Sequence, residues 1–240
     1  MITIEIAGLN VGIDNKHRYI ERLAQDYLTE AKADFVVSAS EEEINAERGQ
    51  TEVGFSDGYL ESIVAYRKIA EILPSYDAFV FHGAVLSLDG KAYAFTAKSG
   101  VGKTTHTRLW LKAFGERVHY LNGDKPIIRF IDGIPYACGT PWQGKENYGV
   151  NEMAPLAGIA FLRRGEKNRA RLVPSGEIIT DFVTQMYMPR NTAGAMLSTM
   201  RMADRVIGAV RLVELYCNME DSAAEISHAV LSGSCDEAGE

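Results

Sequence analysis

The segment Ala97-Lys98-Ser99-Gly100-Val101-Gly102-Lys103-Thr104 constrains this chain more than any other. It follows an apolar run, Lys91 to Thr96, and opens a stretch with helical spacing, Thr104 to Phe114, that Gly115 closes. A strand that enters a helix through small residues lets successive backbone N–H groups converge on an anion at the positive end of the helix dipole. Gly100 and Gly102 free the backbone, Lys103 supplies a cation for the outer phosphates, and Thr104 supplies a hydroxyl for Mg²⁺. Ala97 stands where the pattern has Gly, and a small residue still keeps the loop tight. The expected nucleotide contacts are Lys98, Ser99, Gly100, Val101, Gly102, Lys103, Thr104 and Thr105, with ATP and Mg²⁺ as the implied cofactors.

A phosphate-bound metal also needs a carboxylate. Asp124 ends the apolar strand Val118 to Leu121 through Asn122-Gly123, at the end of a strand where ligands of α/β sheets bind. Thr104 and Asp124 are therefore the expected metal ligands.

The surrounding pattern specifies an α/β fold with a mixed sheet. Asp89-Gly90 joins the runs Ala78 to Leu88 and Lys91 to Thr96, and Asp132-Gly133 joins Ile127 to Phe130 and Ile134 to Ala137; both read as hairpins. Leu156 to Leu162 and Arg169 to Val173 read as a third strand pair around a charged turn. Ahead of these lie a strand at Ile2 to Ile6, helical spacing over 17–30, a strand at Asp34 to Ala39, and an acidic stretch, Ser40 to Gly54. A helix capped by Ser56 then runs to Pro74. Helices are expected near 177–188, 192–208 and 221–232, with a strand from Val210 to Cys217. The organisation implied is an N-terminal α/β elaboration at 1–75, a core at 76–232 and a flexible tail at 233–240.

Among 240 residues, 46% are hydrophobic and 24% charged, the balance of a globular protein. A net charge of −7 argues against a nucleic-acid partner. Cys138, Cys217 and Cys235 are scattered, with no metal or disulfide spacing. The first residues lack a basic segment before an apolar run, and no apolar stretch is long enough for a membrane span. A cytoplasmic protein without a membrane partner is expected; a homo-oligomer is compatible with this composition.

Phe81-His82-Gly83-Ala84, the hairpin into Lys98 to Thr105, and then Asp124 together resemble the HPr serine kinase/phosphorylase family, within the phosphoenolpyruvate carboxykinase-like P-loop proteins. The resemblance covers residues 78–132. It implies a mixed-sheet P-loop core and a kinase that uses ATP and Mg²⁺ to phosphorylate a hydroxyl of a small molecule or peptide. Two departures stand out. The family's Asp-Asp pair appears here as Gly123-Asp124, and its Arg-Gly-x-Gly signature is absent. The chain is thus expected to be HPr kinase-like without being an HPr kinase. A non-catalytic nucleotide-binding module and a phosphorylase running the reverse reaction are the alternatives.

With one carboxylate missing, His82 is the candidate general base, and Asp124 doing both jobs is the alternative. His82 on a buried strand would instead be a core histidine. Catalytic roles thus fall to Asp124, His82 and Lys103. The Gly-, Pro- and Asn-rich stretch Gly139 to Asn151 reads as an exposed loop whose Trp142 and Lys145 contact the substrate; a connector with Trp142 packed on the core is the other reading. Arg163, Arg164, Lys167, Arg169 and Arg171 form a solvated hairpin tip or an anion patch, and Arg67 lies on the helix before His82.

Overall fold

A computed structural model describes residues 1–50, 54–98 and 100–239. The alternating pattern at the N-terminus forms β1 (Ile2–Ile6), which turns at Ala7-Gly8 into an antiparallel β2 (Leu9–Asp14). Sequence pattern does not reveal β2, because the first turn residue is Ala7, held at φ 53°, where Asn, Asp or Gly would have signalled a hairpin. The helix expected over 17–30 shortens to α1 (Tyr19–Leu23). A single 3-10 turn at Gln25–Tyr27 follows, and the chain then runs along β1, where Thr29 N–H donates to the Thr3 carbonyl at 3.0 Å. β3 (Phe35–Ser38) completes a three-stranded sheet, running parallel to β2.

The acidic stretch forms α2 (Glu41–Arg48), started by a reciprocal Ser40–Glu43 capping box. α3 (Asp57–Ile72) is capped by Ser56, whose hydroxyl accepts from Tyr59 N–H. Its buried face, including Ala65, Tyr66 and Ile69, closes over the small sheet. The same apolar cluster continues into Val80, Ile127, Cys138 and Trp142, so the N-terminal elements share a core with the larger sheet downstream.

The remaining strands build one curled mixed sheet of ten strands. β4 (Ala78–Val80), β5 (Ala84–Leu88) and β6 (Lys91–Thr96) lead into α4 (Lys103–Phe114); β7 (Val118–Asn122), β8 (Ile127–Ile131) and β9 (Ile134–Cys138) come next. β10 (Met153–Arg164) and β11 (Arg169–Leu172) precede α5 (Ser175–Thr184) and α6 (Ala193–Ala209), and β12 (Arg211–Cys217), α7 (Ser222–Leu231) and β13 (Glu237–Gly239) end the chain. Hydrogen bonding runs β13-β11-β12-β10-β6-β5-β7, with β9, β8 and β4 branching from the start of β10.

Three expectations change. The run Ala78 to Leu88 is two strands: β4 pairs with β8, whereas β5 pairs with β6 and β7, and the chain crosses between them at His82-Gly83. β10 and β11 do not pair with each other. The α5–α6 connection returns the chain as β12, which inserts between them, parallel to β10 and antiparallel to β11. The tail is not frayed over 237–239, where β13 pairs with β11. Arg211 anchors it through Cys235 O at 3.0 Å and Asp236 at 2.7 Å.

β6 lies between β5 and the parallel β10, and its alternate residues feed two cores. Tyr93 and Phe95 meet Trp110 of α4 and Leu231 of α7 on one face. Ala92 and Ala94 share the other face with Phe182 and Val206 of α5 and α6. A strand buried on both faces is a rigid platform, and its C-terminal end carries the loop. Among the described residues no helix is long and apolar enough to cross a membrane.

Candidate functional site

The order strand, loop, helix is as expected, with Ala97 buried at the exit of β6. Gly100 and Gly102 hold φ of 76° and 122°, a region that L side chains rarely adopt. Gly102 is the N-cap of α4 and brings no side-chain cap, so first-turn amides remain available to an anion. Val101 N–H bonds the Lys98 carbonyl at 3.3 Å, and Lys103 Nζ folds back on Ala97 O at 3.4 Å. Burial pushes the Lys103 ammonium below its usual pKa, opposed by the nearby charge of Asp124. Lys98, Thr104 and Thr105 are exposed around this turn, whereas Ser99 lies outside the described residues.

Facing the loop is a cavity of about 760 Å³, whose lining includes His82, Lys103, Thr104, Asp124, Lys125 and Lys145. The two expected catalytic partners from distant segments meet there: His82 Nε2 lies 3.4 Å from Asp124 Oδ1. The crossing between β4 and β5 makes this meeting. His82 N–H bonds Gln185 O at 2.7 Å, His82 O accepts from Thr96 Oγ1 at 3.0 Å, and Gly83 N–H bonds Asp124 O at 3.0 Å. The His82 side chain is half exposed, so it is not a core histidine. Asp124 Oδ2 takes Lys125 Nζ at 3.0 Å. The hydrogen bond from His82, reinforced by Lys125, holds the Asp124 carboxyl well below the usual carboxylate range despite its burial.

Asn122 fixes this turn. Its Oδ1 accepts both Asp124 N–H (2.8 Å) and Lys125 N–H (2.7 Å), and its Nδ2 donates to Thr140 O (3.1 Å) and Oγ1 (3.0 Å). The sequence signal was present in Asn122-Gly123-Asp124: Asn two residues ahead of a carboxylate at a strand end is an Asx-turn pattern. Lys125 and Thr140 gave no local signal at all.

The stretch after β9 is only partly the exposed loop expected. Gly139 to Trp142 are buried, and Thr140 Oγ1 donates to Lys125 O at 2.9 Å. Trp142 stacks on Tyr66 (centroids 4.1 Å apart, planes 13°) and donates Nε1–H to Ser62 O at 3.1 Å. Its ring packs α3 against the turn and is buried where an exposed loop residue was expected, yet it still lines the cavity. Lys145 is exposed at the cavity rim. Gly144 packs so closely over the site that a Cβ there would lie 2.9 Å from Asp124 Cβ.

The anion-patch reading fails for Arg163, which pairs with Asp181 and Glu214, and for Arg171, which pairs with Glu177 and Glu214. Arg164 reaches the loop and donates to Gly100 O at 2.5 Å. Arg67 pairs with Glu47 at 2.7 Å beside a separate groove of about 330 Å³, away from His82.

No family model matches the chain, and no curated protein sequence matches it. Solved structures do. One is the HPr(Ser) kinase/phosphatase from Coxiella burnetii, at 12% identity and a TM-score of 0.29. That match covers 36% of this chain and 61% of that one, less than two-thirds of its length.

Proposed function

We propose that this chain is an ATP- and Mg²⁺-dependent kinase of the HPr kinase-like kind, acting on a hydroxyl of a small molecule or peptide. The observation that carries the reading is the convergence of His82 and Asp124, 3.4 Å apart, on a cavity that also receives Lys103 and the uncapped start of α4. The residues present fit a triphosphate: two loop glycines at positive φ, free first-turn amides, and a lysine whose one described contact is a 3.4 Å bond to Ala97 O. They also fit a hard divalent ion, since Asp124 and the Thr104 hydroxyl are oxygen donors on the same cavity. Such an ion, when bound, neutralises charge between the outer phosphates.

The chain's own residues then divide the work. The loop amides and Lys103 hold and orient the phosphates. With its Nε2–H donated to Asp124, His82 keeps its lone pair on Nδ1, and that atom takes the acceptor's proton. The acceptor oxygen forms the new bond to the γ-phosphorus as the bond to the bridging oxygen of ADP breaks. Lys145, on the rim, meets charge that develops on the transferred group. Burial raises the Cys138 thiol to about 12 and Cys217 to about 11, away from the thiolate form.

The test is incubation with γ-labelled ATP, Mg²⁺ and a panel of hydroxyl metabolites and seryl or threonyl peptides. Label in an acceptor supports the kinase. A second reading, a nucleotide-binding module, is favoured by one feature: both oxygens of Asp124 already have partners, His82 and Lys125. Tight Mg-ATP binding with no transfer to any acceptor would select it.

A further inference from the structure

The fold fixes Lys125 with more hydrogen bonds than a solvated lysine needs. Its N–H goes to Asn122 Oδ1 at 2.7 Å, and its carbonyl accepts from Tyr66 OH at 2.7 Å and Thr140 Oγ1 at 2.9 Å. Asn122, Thr140 and Tyr66 are themselves buried. A buried polar network with its bonds made specifies one geometry, and here that geometry places an ammonium in the cavity beside Asp124.

Asp124 is the one carboxylate within 4.0 Å of Lys125 Nζ among the described residues. Both Asp124 oxygens have partners here, His82 and Lys125, so a divalent ion held by Asp124 would share that carboxylate with them. With Asp124 engaged in that way, the Lys125 ammonium, carried by its fixed backbone, would remain in the cavity with less of the Asp124 charge to itself. That ammonium is part-exposed and faces the cavity, where an anion on a bound ligand can pair with it. The wall contributed by the N-terminal elements supplies none: it presents Tyr19, Leu23, Tyr59 and Ile63, with Tyr19 edge-on to Tyr59 at 5.8 Å. Those surfaces suit the apolar body of a small ligand.

We propose that Lys125 is the anion contact for the acceptor, and hence that the acceptor is a small hydroxy compound bearing its own carboxylate or phosphate. Its body lies on the Tyr19–Tyr59 wall, its anion meets Lys125, and its hydroxyl faces His82. This inference rests on the kinase reading. A lysine is a point charge and takes either anion, so the chemistry is shared by hydroxy acids and phosphorylated alcohols.

The experiment uses the full chain, Mg²⁺ and γ-labelled ATP with acceptors on matched skeletons: glycerol, glycerate and glycerol 3-phosphate, and serinamide against serine. The members that carry a carboxylate or phosphate should exceed those that lack one in kcat/KM by about 10- to 100-fold, the value of one charged hydrogen bond. Lys125→Met should remove that preference while the Kd for Mg-ATP stays within about threefold, and Lys125→Arg should restore part of it; melting curves check that both variants fold. Glycerate against glycerol 3-phosphate identifies the anion. Equal use of acceptors without an anion overturns the inference, as does a preference that survives Lys125→Met, or a Lys125→Met defect that weakens Mg-ATP alike for every acceptor. Transfer to neutral hydroxyls or peptides alone overturns it and leaves the kinase standing. Failure to bind Mg-ATP instead removes the kinase reading beneath it.

Discussion

The two walls of the cavity are built on opposite principles. On the loop side, between β6 and α4, groups that face the cavity have few partners: α4 has no side-chain cap, and Lys103 has one long contact. On the opposite side, the Asn122–Lys125 turn is saturated, with Asn122 alone engaging Asp124, Lys125 and Thr140. Unpartnered polar groups are what a ligand satisfies, and saturated ones are what hold a charge in place. The first wall is read as binding machinery and the second as positioning machinery.

Substitutions on the two walls should therefore fail differently. Trp142→Ala removes the buried ring under the turn and should cost about 3–5 kcal/mol of stability, checked by urea denaturation. An equally large loss of nucleotide affinity at full stability would erase the distinction. Lys103→Ala should do the reverse. Nucleotide affinity should weaken on the order of 100-fold with melting temperature nearly unchanged, measured by calorimetry.

A smaller contrast concerns the two histidines. His82 is half exposed at the site, whereas His106 is buried behind the loop, with Nε2 against Ser227 Oγ at 3.1 Å and Nδ1 without a partner among the described residues. Burial pushes the His106 pKa down to about 3. The folded state holds His106 neutral, while the unfolded chain takes up a proton near pH 6.5. Its contribution is therefore fully present above about pH 6.5 and is lost as pH falls toward 3, at up to about 1.4 kcal/mol per pH unit. Urea midpoints at pH 7 and pH 5 should separate by this much more in the parent than in His106→Phe. The smallest effect is expected from Arg164→Ala, whose exposed bond to Gly100 O is worth under about 1 kcal/mol; a few-fold rise in KM for ATP with unchanged stability would place it on the loop side.

The same contrast explains what the sequence revealed. The loop, α4 and Asp124 were legible because their chemistry is local: small residues, a lysine and a hydroxyl in succession, and a carboxylate at a strand end. Both Asp-Gly hairpins were legible for the same reason. His82 was legible as a residue but not as a place, since its exposure depends on the chain leaving β4, paired with β8, for β5, paired with β6, between Val80 and Ala84. Lys125, Thr140 and Tyr66 acquire their roles only when segments 59 and 15 positions away in sequence converge on one carbonyl. The insertion of β12 between β10 and β11 was hidden likewise, because a short charged turn looks the same whether its strands pair or admit a third.

The central claim is that His82, held by Asp124, takes the acceptor's proton at a site that binds Mg-ATP independently of it. The most direct test compares single-turnover transfer of label with the calorimetric Kd for Mg-ATP in the parent and His82→Ala. Transfer should fall about 10²- to 10⁴-fold, the usual contribution of a general base, while Kd stays within about threefold. Unchanged transfer in His82→Ala would contradict the account.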